Sequence, residues 1–135
     1  MTRREYVISI NRPAKALSPN ARGHWTKAFK ARKLARRDAQ RLALSQWGTD
    51  APRWKQAMVT HRWVMPTLAH HPDPDNAAAS LKSWLDGFSD WGVVENDKGL
   101  IPLWGGLIVT KTYTDHVGQS WPRGCVVLTF EELKV

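Results

Sequence analysis

The sequence predicts an α+β fold: a mixed β-sheet with two main helices in the order β-α-β-α-β-β. Three observations carry this. Four short runs are rich in β-branched and aromatic residues, two longer stretches have helical character, and the two kinds alternate until a pair of strands closes the chain. With 135 residues, 42% hydrophobic content and eight Trp, the chain is expected to form one domain over 1–135 with a real core.

The first strand is "EYVISIN" (5–11), which ends at the loop "RPAKALSPNARGH" (12–24) with its two prolines and a glycine. From Thr26 to about Trp47 no Gly or Pro intervenes, and Phe29, Leu34, Leu42 and Leu44 stand among many alanines. Thr26 is the expected N-cap, and Gly48 and Pro52 stop the helix. "KQAMVTHRWVMP" (55–66) alternates as a second strand, and "TLAHHPDPD" follows as a loop. A second helix is predicted from Asn76 to about Phe88, with Asp75 as N-cap and Ala77, Leu81, Trp84, Leu85 and Phe88 on one apolar face. Gly87 or Gly92 marks its end. "GLIVTKTYT" (106–114) and "GCVVLTFEEL" (124–133) are then two strands expected to run antiparallel.

Charge divides the chain. Residues 1–64 hold fifteen Lys and Arg against three acids, a net of +12; residues 65–135 hold five against nine, a net of −4. A basic half beside an acidic half suits a protein that grips a polyanion near metal-binding carboxylates. It also suits a soluble domain with one basic solvated helix. No apolar run has the roughly 18 residues of a membrane span, no secretory leader is expected at the start, and Cys125 has no partner for an internal disulfide or a Cys-based zinc site. A reducing, cytoplasmic setting is therefore expected.

The acid concentrates in "HHPDPDN" (70–76) and in "VVENDKG" (93–99). At 100° per residue, Asp75, Lys82 and Asp86 share one side of the second helix, while Asp73 precedes it and Glu95 and Asp97 follow in a polar turn. Such carboxylates could cap a helix, hold a metal or do acid–base work. Oxygen-only ligands suit Mg²⁺ or Mn²⁺. His70 and His71 point apart on an extended segment, and His24, His61 and His116 show no ligand spacing. Ser and Cys nucleophile motifs and a Gly-rich phosphate loop are absent.

Taken together, "PDPDN" (72–76), "KSWLD" (82–86) and "WGVVENDKGL" (91–100) resemble the RusA family of crossover junction endodeoxyribonucleases, common in phages and prophages. "LSPNARGHW" (17–25) before a basic helix adds to the likeness. The resemblance implies a RusA-like fold and a Mg²⁺-dependent enzyme, with Mn²⁺ as a substitute and no organic cofactor. It also implies a homodimer acting on four-way DNA junctions in a bacterial host cell. Residue by residue, the metal aspartates fall on Asp73, Asp75 and Asp97 and the catalytic lysine on Lys82, with Asp86 and Asn76 in supporting positions. The lysine follows the second aspartate by seven residues where the best-known type has four. Asn96 stands where an acid is usual, and His71 and Pro72 where basic residues are frequent.

On this reading Lys27, Lys30, Arg32, Lys33, Arg36 and Arg37 bind flanking DNA backbone together with Lys82. A catalytically silent DNA-binding protein is the alternative. A third option is an RNA-directed or non-specific nuclease in which Trp25 stacks on unpaired bases.

Overall fold

The computed structural model describes residues 4–19, 23, 25–69 and 71–134. His24, His70 and part of the 17–25 segment lie outside them. Its centre is a four-stranded mixed sheet in the order β1-β4-β2-β3, formed by β1 (Glu5–Ile10), β2 (Ala57–Met65), β3 (Leu100–Val109) and β4 (Cys125–Glu132). β4 lies between β1 and β2 and is antiparallel to both, whereas β3 pairs with β2 in parallel at the sheet edge.

Three helices complete the α+β domain: α1 (Trp25–Trp47), α2 (Pro74–Ser80) and α3 (Lys82–Trp91). The last two form the crossover that a parallel β2–β3 pair requires. Alternate residues of the strands face α1 and α3. Trp47 stacks edge-on against Tyr6 and Phe130, and Phe88 lies 5.2 Å from Phe130. Trp54 and Trp91 close the same aromatic cluster around Tyr6.

The order therefore differs from β-α-β-α-β-β in one respect: the second helix is two. Ser80 Oγ donates to the Ala77 carbonyl at 2.8 Å, and at Leu81, whose backbone stays right-handed at φ −88°, ψ −9°, the N–H bonds to the Ala78 carbonyl in a tighter turn before α3 begins. Such back-bonding by serine bends helices.

The caps also shift. Asp73, not Asp75, is the N-cap of α2, accepting from the Asn76 backbone N–H at 2.9 Å with Pro74 in the first turn. Gly92, at φ +112°, ends α3, while Gly87 is buried mid-helix. The first long helix starts at Trp25, so Thr26 lies inside it.

The two last strands are not neighbours. They run in opposite senses, but β2 lies between them, because β3 returns through the helical crossover to the other edge of β2. β3 also starts six residues before the predicted 106. Pro102 sits within it, which an edge strand tolerates, and Gly105–Gly106 lie where the register to β2 shifts between His61 and Trp63. A Cβ on Gly105 would sit 2.7 Å from Thr60 Cγ2.

α1 buries only Ala35, Ala39 and Ala43, a small-residue stripe four residues apart. This stripe lets α3 approach closely. An added Cβ on Gly87 would lie 2.2 Å from the Arg36 carbonyl oxygen and 2.6 Å from Ala39 Cβ. Phe29, Leu34 and Leu44 stay on the exposed side.

Candidate functional site

The α1–α3 contact, the split between α2 and α3, and the turn after α3 together fix one cleft. It has a volume of about 330 Å³ and places Lys82 and Asp86 of α3 beside Asp97, with Ala78 and Ala79 of α2 and Pro102 of β3 around them. Small residues at 78 and 79 keep it open. Lys82 follows Ala78 by four residues and Ala79 by three, so the cleft face continues across the break at Leu81. A second cleft of about 400 Å³ shares Ala79, Lys82 and Asp86 and reaches Leu17, Ser18 and Arg32. Lys82 and Asp86 thus form the ridge between two clefts, the lysine side chain 77% exposed and the two charged ends 3.9 Å apart.

Asp97 is held by backbone bonds on both sides. Arg53 N–H donates to the Gly92 carbonyl at 2.8 Å, and Glu95 N–H to the Trp54 carbonyl at 2.8 Å. Asn96 then caps the 3₁₀ turn Asp97–Gly99, its side chain accepting from Lys98 N–H at 3.0 Å. Gly99 is obligatory there, since a Cβ would lie 2.3 Å from the Lys55 carbonyl oxygen.

Asp75 occupies the first turn of α2, exposed, and one helical turn before Ala79 on the same side. Among the described residues, neither the Asp75 nor the Asp97 carboxylate has a hydrogen-bond or salt-bridge partner, although the Asp97 carbonyl accepts from Leu100 N–H. Asp73 is engaged, its two oxygens taking the Asn76 backbone N–H and, at 3.0 Å, Asn76 Nδ2. Asn76 therefore serves the cap.

The cleft thus brings together Lys82, Asp86 and Asp97, with Asp75 one turn away and Asp73 committed to the helix start. Among the described residues no group of three or more His, Cys, Asp or Glu gathers at metal-holding spacing, so the Asp73, Asp75 and Asp97 set is not assembled as one cluster. In donor type the available carboxylates, Asp75, Asp86 and Asp97, suit a hard divalent cation.

The basic helix divides its charges. Lys27, Lys30 and Lys33 are exposed, Arg32 lines the second cleft, and Arg37 pairs with Asp38 at 3.4 Å. Arg36 forks onto Asp90, with Nη2 2.8 Å from Oδ1. Its pKa is raised above the ordinary value by that hydrogen bond and the Asp90 charge, and further by Asp86 and Asp97. Sequence reasoning missed Asp90, although its spacing of four from Asp86 on α3 was a readable signal. Trp25 is exposed at the start of α1.

The fold and cleft define a class: a basic α+β domain with a lysine–carboxylate cleft at the end of a helical crossover. No protein-family model matches the chain. An uncharacterized protein of Xylella fastidiosa (strain Temecula1 / ATCC 700964) is 40% identical over 85 residues, which cover 62% of this chain and 55% of that protein. The chain spans about half the length of the relative it matches.

Proposed function

We propose that this protein is a Mg²⁺-dependent, structure-selective endodeoxyribonuclease of RusA type that resolves four-way junctions by paired phosphodiester hydrolysis in DNA recombination and repair. It acts as a homodimer in the cytoplasm of a bacterial host. The observation that carries the reading is the cleft where Lys82, Asp86 and Asp97 meet, with Asp75 one turn away and a Lys/Arg-rich helix alongside. A protein that only bound phosphate would gain nothing from acids in that position.

A divalent ion held by Asp75 and Asp97, with Asp73 in the set the resemblance implies, would neutralise phosphate charge and supply an activated water. Lys82, its side chain 77% exposed on the ridge, meets a phosphate oxygen and stabilises charge developing on it, while Asp86 orients the ammonium. Lys27, Lys30 and Lys33 hold flanking backbone without reading sequence.

The test is cleavage of an end-labelled mobile four-way junction against a linear duplex of equal length, with and without Mg²⁺ or Mn²⁺. Symmetric nicks in the junction alone are expected, and only with the ion. A protein that binds the junction and cuts nothing with either ion refutes the enzyme reading. That outcome would favour the alternative, a DNA-binding protein without cleavage. A monomer in sedimentation, both free and on DNA, refutes the dimer.

A further inference from the structure

The packed line of α1 continues beyond the helix it packs against. At 100° per residue, Trp25, Phe29, Arg32, Arg36, Ala39 and Ala43 fall within about 80° of one another. Ala39 and Ala43 on that line are fully buried, Arg36 reaches Asp90 of α3, and Arg32 shares a cleft with Lys82, Ser83 and Asp86. α3 begins at Lys82, so the line outruns it, and there the side chains of Phe29 and Trp25 are 51% and 70% exposed.

Single apolar side chains on a surface are ordinary. These two are set apart by where they stand. They are aromatic, one helical turn apart, and on the side of α1 that leads to Arg32 and the Lys82–Asp86 ridge. Lys27, Lys30 and Lys33 are exposed along the same two turns.

That mixture narrows the partner. An apolar surface would leave the ammonium groups without a counter-charge, and a second copy of this face would set lysines against lysines. A fully paired duplex keeps its bases stacked inside and offers the rings nothing. A strand with unstacked bases answers both features, because bases stack on aromatic faces while phosphates meet the lysines. The spacing also fits. Phe29 and Trp25 lie about 4.5 and 10 Å along the axis from Arg32, the span of one to three nucleotides at roughly 3.4 Å each.

We propose that Phe29, with Trp25 one turn away, stacks on unpaired bases at the branch point of a DNA junction and so positions the strand whose phosphate reaches Lys82. The inference deepens the junction-directed reading above and rests on it. Both rings act by binding and positioning, since neither lies in the cleft with Lys82, Asp86 and Asp97.

The experiment measures binding of the full chain by fluorescence anisotropy, without divalent ion so that no strand is cut. The probes are a labelled four-way junction, the same junction with abasic sites flanking the branch, a linear duplex and a single strand. Phe29→Ala should weaken the intact junction roughly 5- to 100-fold, the range for one base–aromatic stack, while leaving the duplex and the abasic junction nearly unchanged. Phe29→Tyr should bind as wild type does, and Phe29→Leu should fail like alanine. Trp25→Ala should follow the same pattern. Because both side chains are largely exposed, all these variants should keep the wild-type Tm. Wild-type junction affinity in Phe29→Ala, an equal loss on junction and duplex, or full rescue by leucine overturns the proposal. Each of these spares the nuclease reading if the wild type still cuts junctions with Mg²⁺. A variant that sediments as a monomer where wild type is a dimer assigns the rings to an interface between copies and overturns it too. Binding of the single strand that depends on Phe29, with no preference for the junction, upholds the stacking site and sinks the junction reading instead.

Discussion

Gly87→Ala should destabilise the protein, against the ordinary helical preference. In an unconstrained helix interior the change is worth about 0.5–1 kcal/mol in favour of alanine. Here the new methyl would stand 2.2 Å from the Arg36 carbonyl oxygen, which belongs to backbone and cannot rotate away, and 2.6 Å from Ala39 Cβ. Restoring ordinary contact requires α1 and α3 to separate by roughly 1 Å along their seam. Overpacking of this kind costs about 1–3 kcal/mol, and a backbone clash belongs at the upper end. A net loss of about 2 kcal/mol results, or roughly 7 °C in Tm for a chain of this size. The assay is urea unfolding followed by tryptophan fluorescence, with Tm from calorimetry. Adding Ala39→Gly removes only the softer contact, so the double variant should be no more stable than the single one. A Gly87→Ala protein as stable as wild type would refute the close crossing of α1 and α3.

The remaining expectations concern the cleft and two core groups. Lys82→Ala should leave stability nearly unchanged, since the side chain is 77% exposed, yet lower junction cleavage at saturating DNA by roughly 10²-fold; a near wild-type cutting rate removes Lys82 from the chemistry. Asp75→Asn should abolish cleavage while junction binding, read by gel shift, stays equal or tightens; lost binding in a folded variant counts against a metal role for Asp75. His61 is buried and accepts at Nδ1 from Trp63 Nε1–H at 3.1 Å, and burial lowers its pKa. The unfolded chain therefore binds that proton first, so the stability is complete above about pH 6.5 and is lost as pH falls toward the lowered folded value. His61→Gln should flatten the fall in urea midpoint between pH 7.5 and 5.5, and an equally steep fall in the variant would assign it elsewhere. Burial pushes the Cys125 thiol up to about 12, with the Asp115 charge adding to it, so iodoacetamide at pH 8 should label only the unfolded protein; labelling at native conditions would contradict its burial.

What could be read from the sequence followed local periodicity. β1, α1, β2 and β4 were legible because each is a continuous run whose apolar pattern has one period. β3 was misplaced because Pro102 and the Gly105–Gly106 pair look like breakers, and only an edge position beside a bulge in β2 accommodates them. The break at Leu81 arises from one serine hydroxyl turned to a carbonyl, which no periodicity reports. At the cleft, the pairing of Lys82 with Asp86 followed from spacing alone, while the bond from Arg36 to Asp90 joins residues 54 apart in sequence and needed the α1–α3 crossing. Asp73 was placed outside the helix and proved to be its cap, which an Asp-Pro pair at a helix start already suggests.

The position of β4 constrains how the chain acquires its shape. β1 and β2 never touch as a strand pair; each is completed by residues 125–132, with Glu5 opposite Glu131 and Ala57 opposite Glu132. As the polypeptide leaves the ribosome, residues 5–10 thus wait unpaired through the synthesis of more than a hundred residues. Until then only the β2–β3 parallel pair and its helices can assemble. Closure of so long a loop is slow relative to local structure, so the rate-limiting event should be insertion of the late strand between two partners already present. The interval leaves an apolar strand, "EYVISI", open to other chains, which makes this the step where crowding or heat would divert the protein into aggregates.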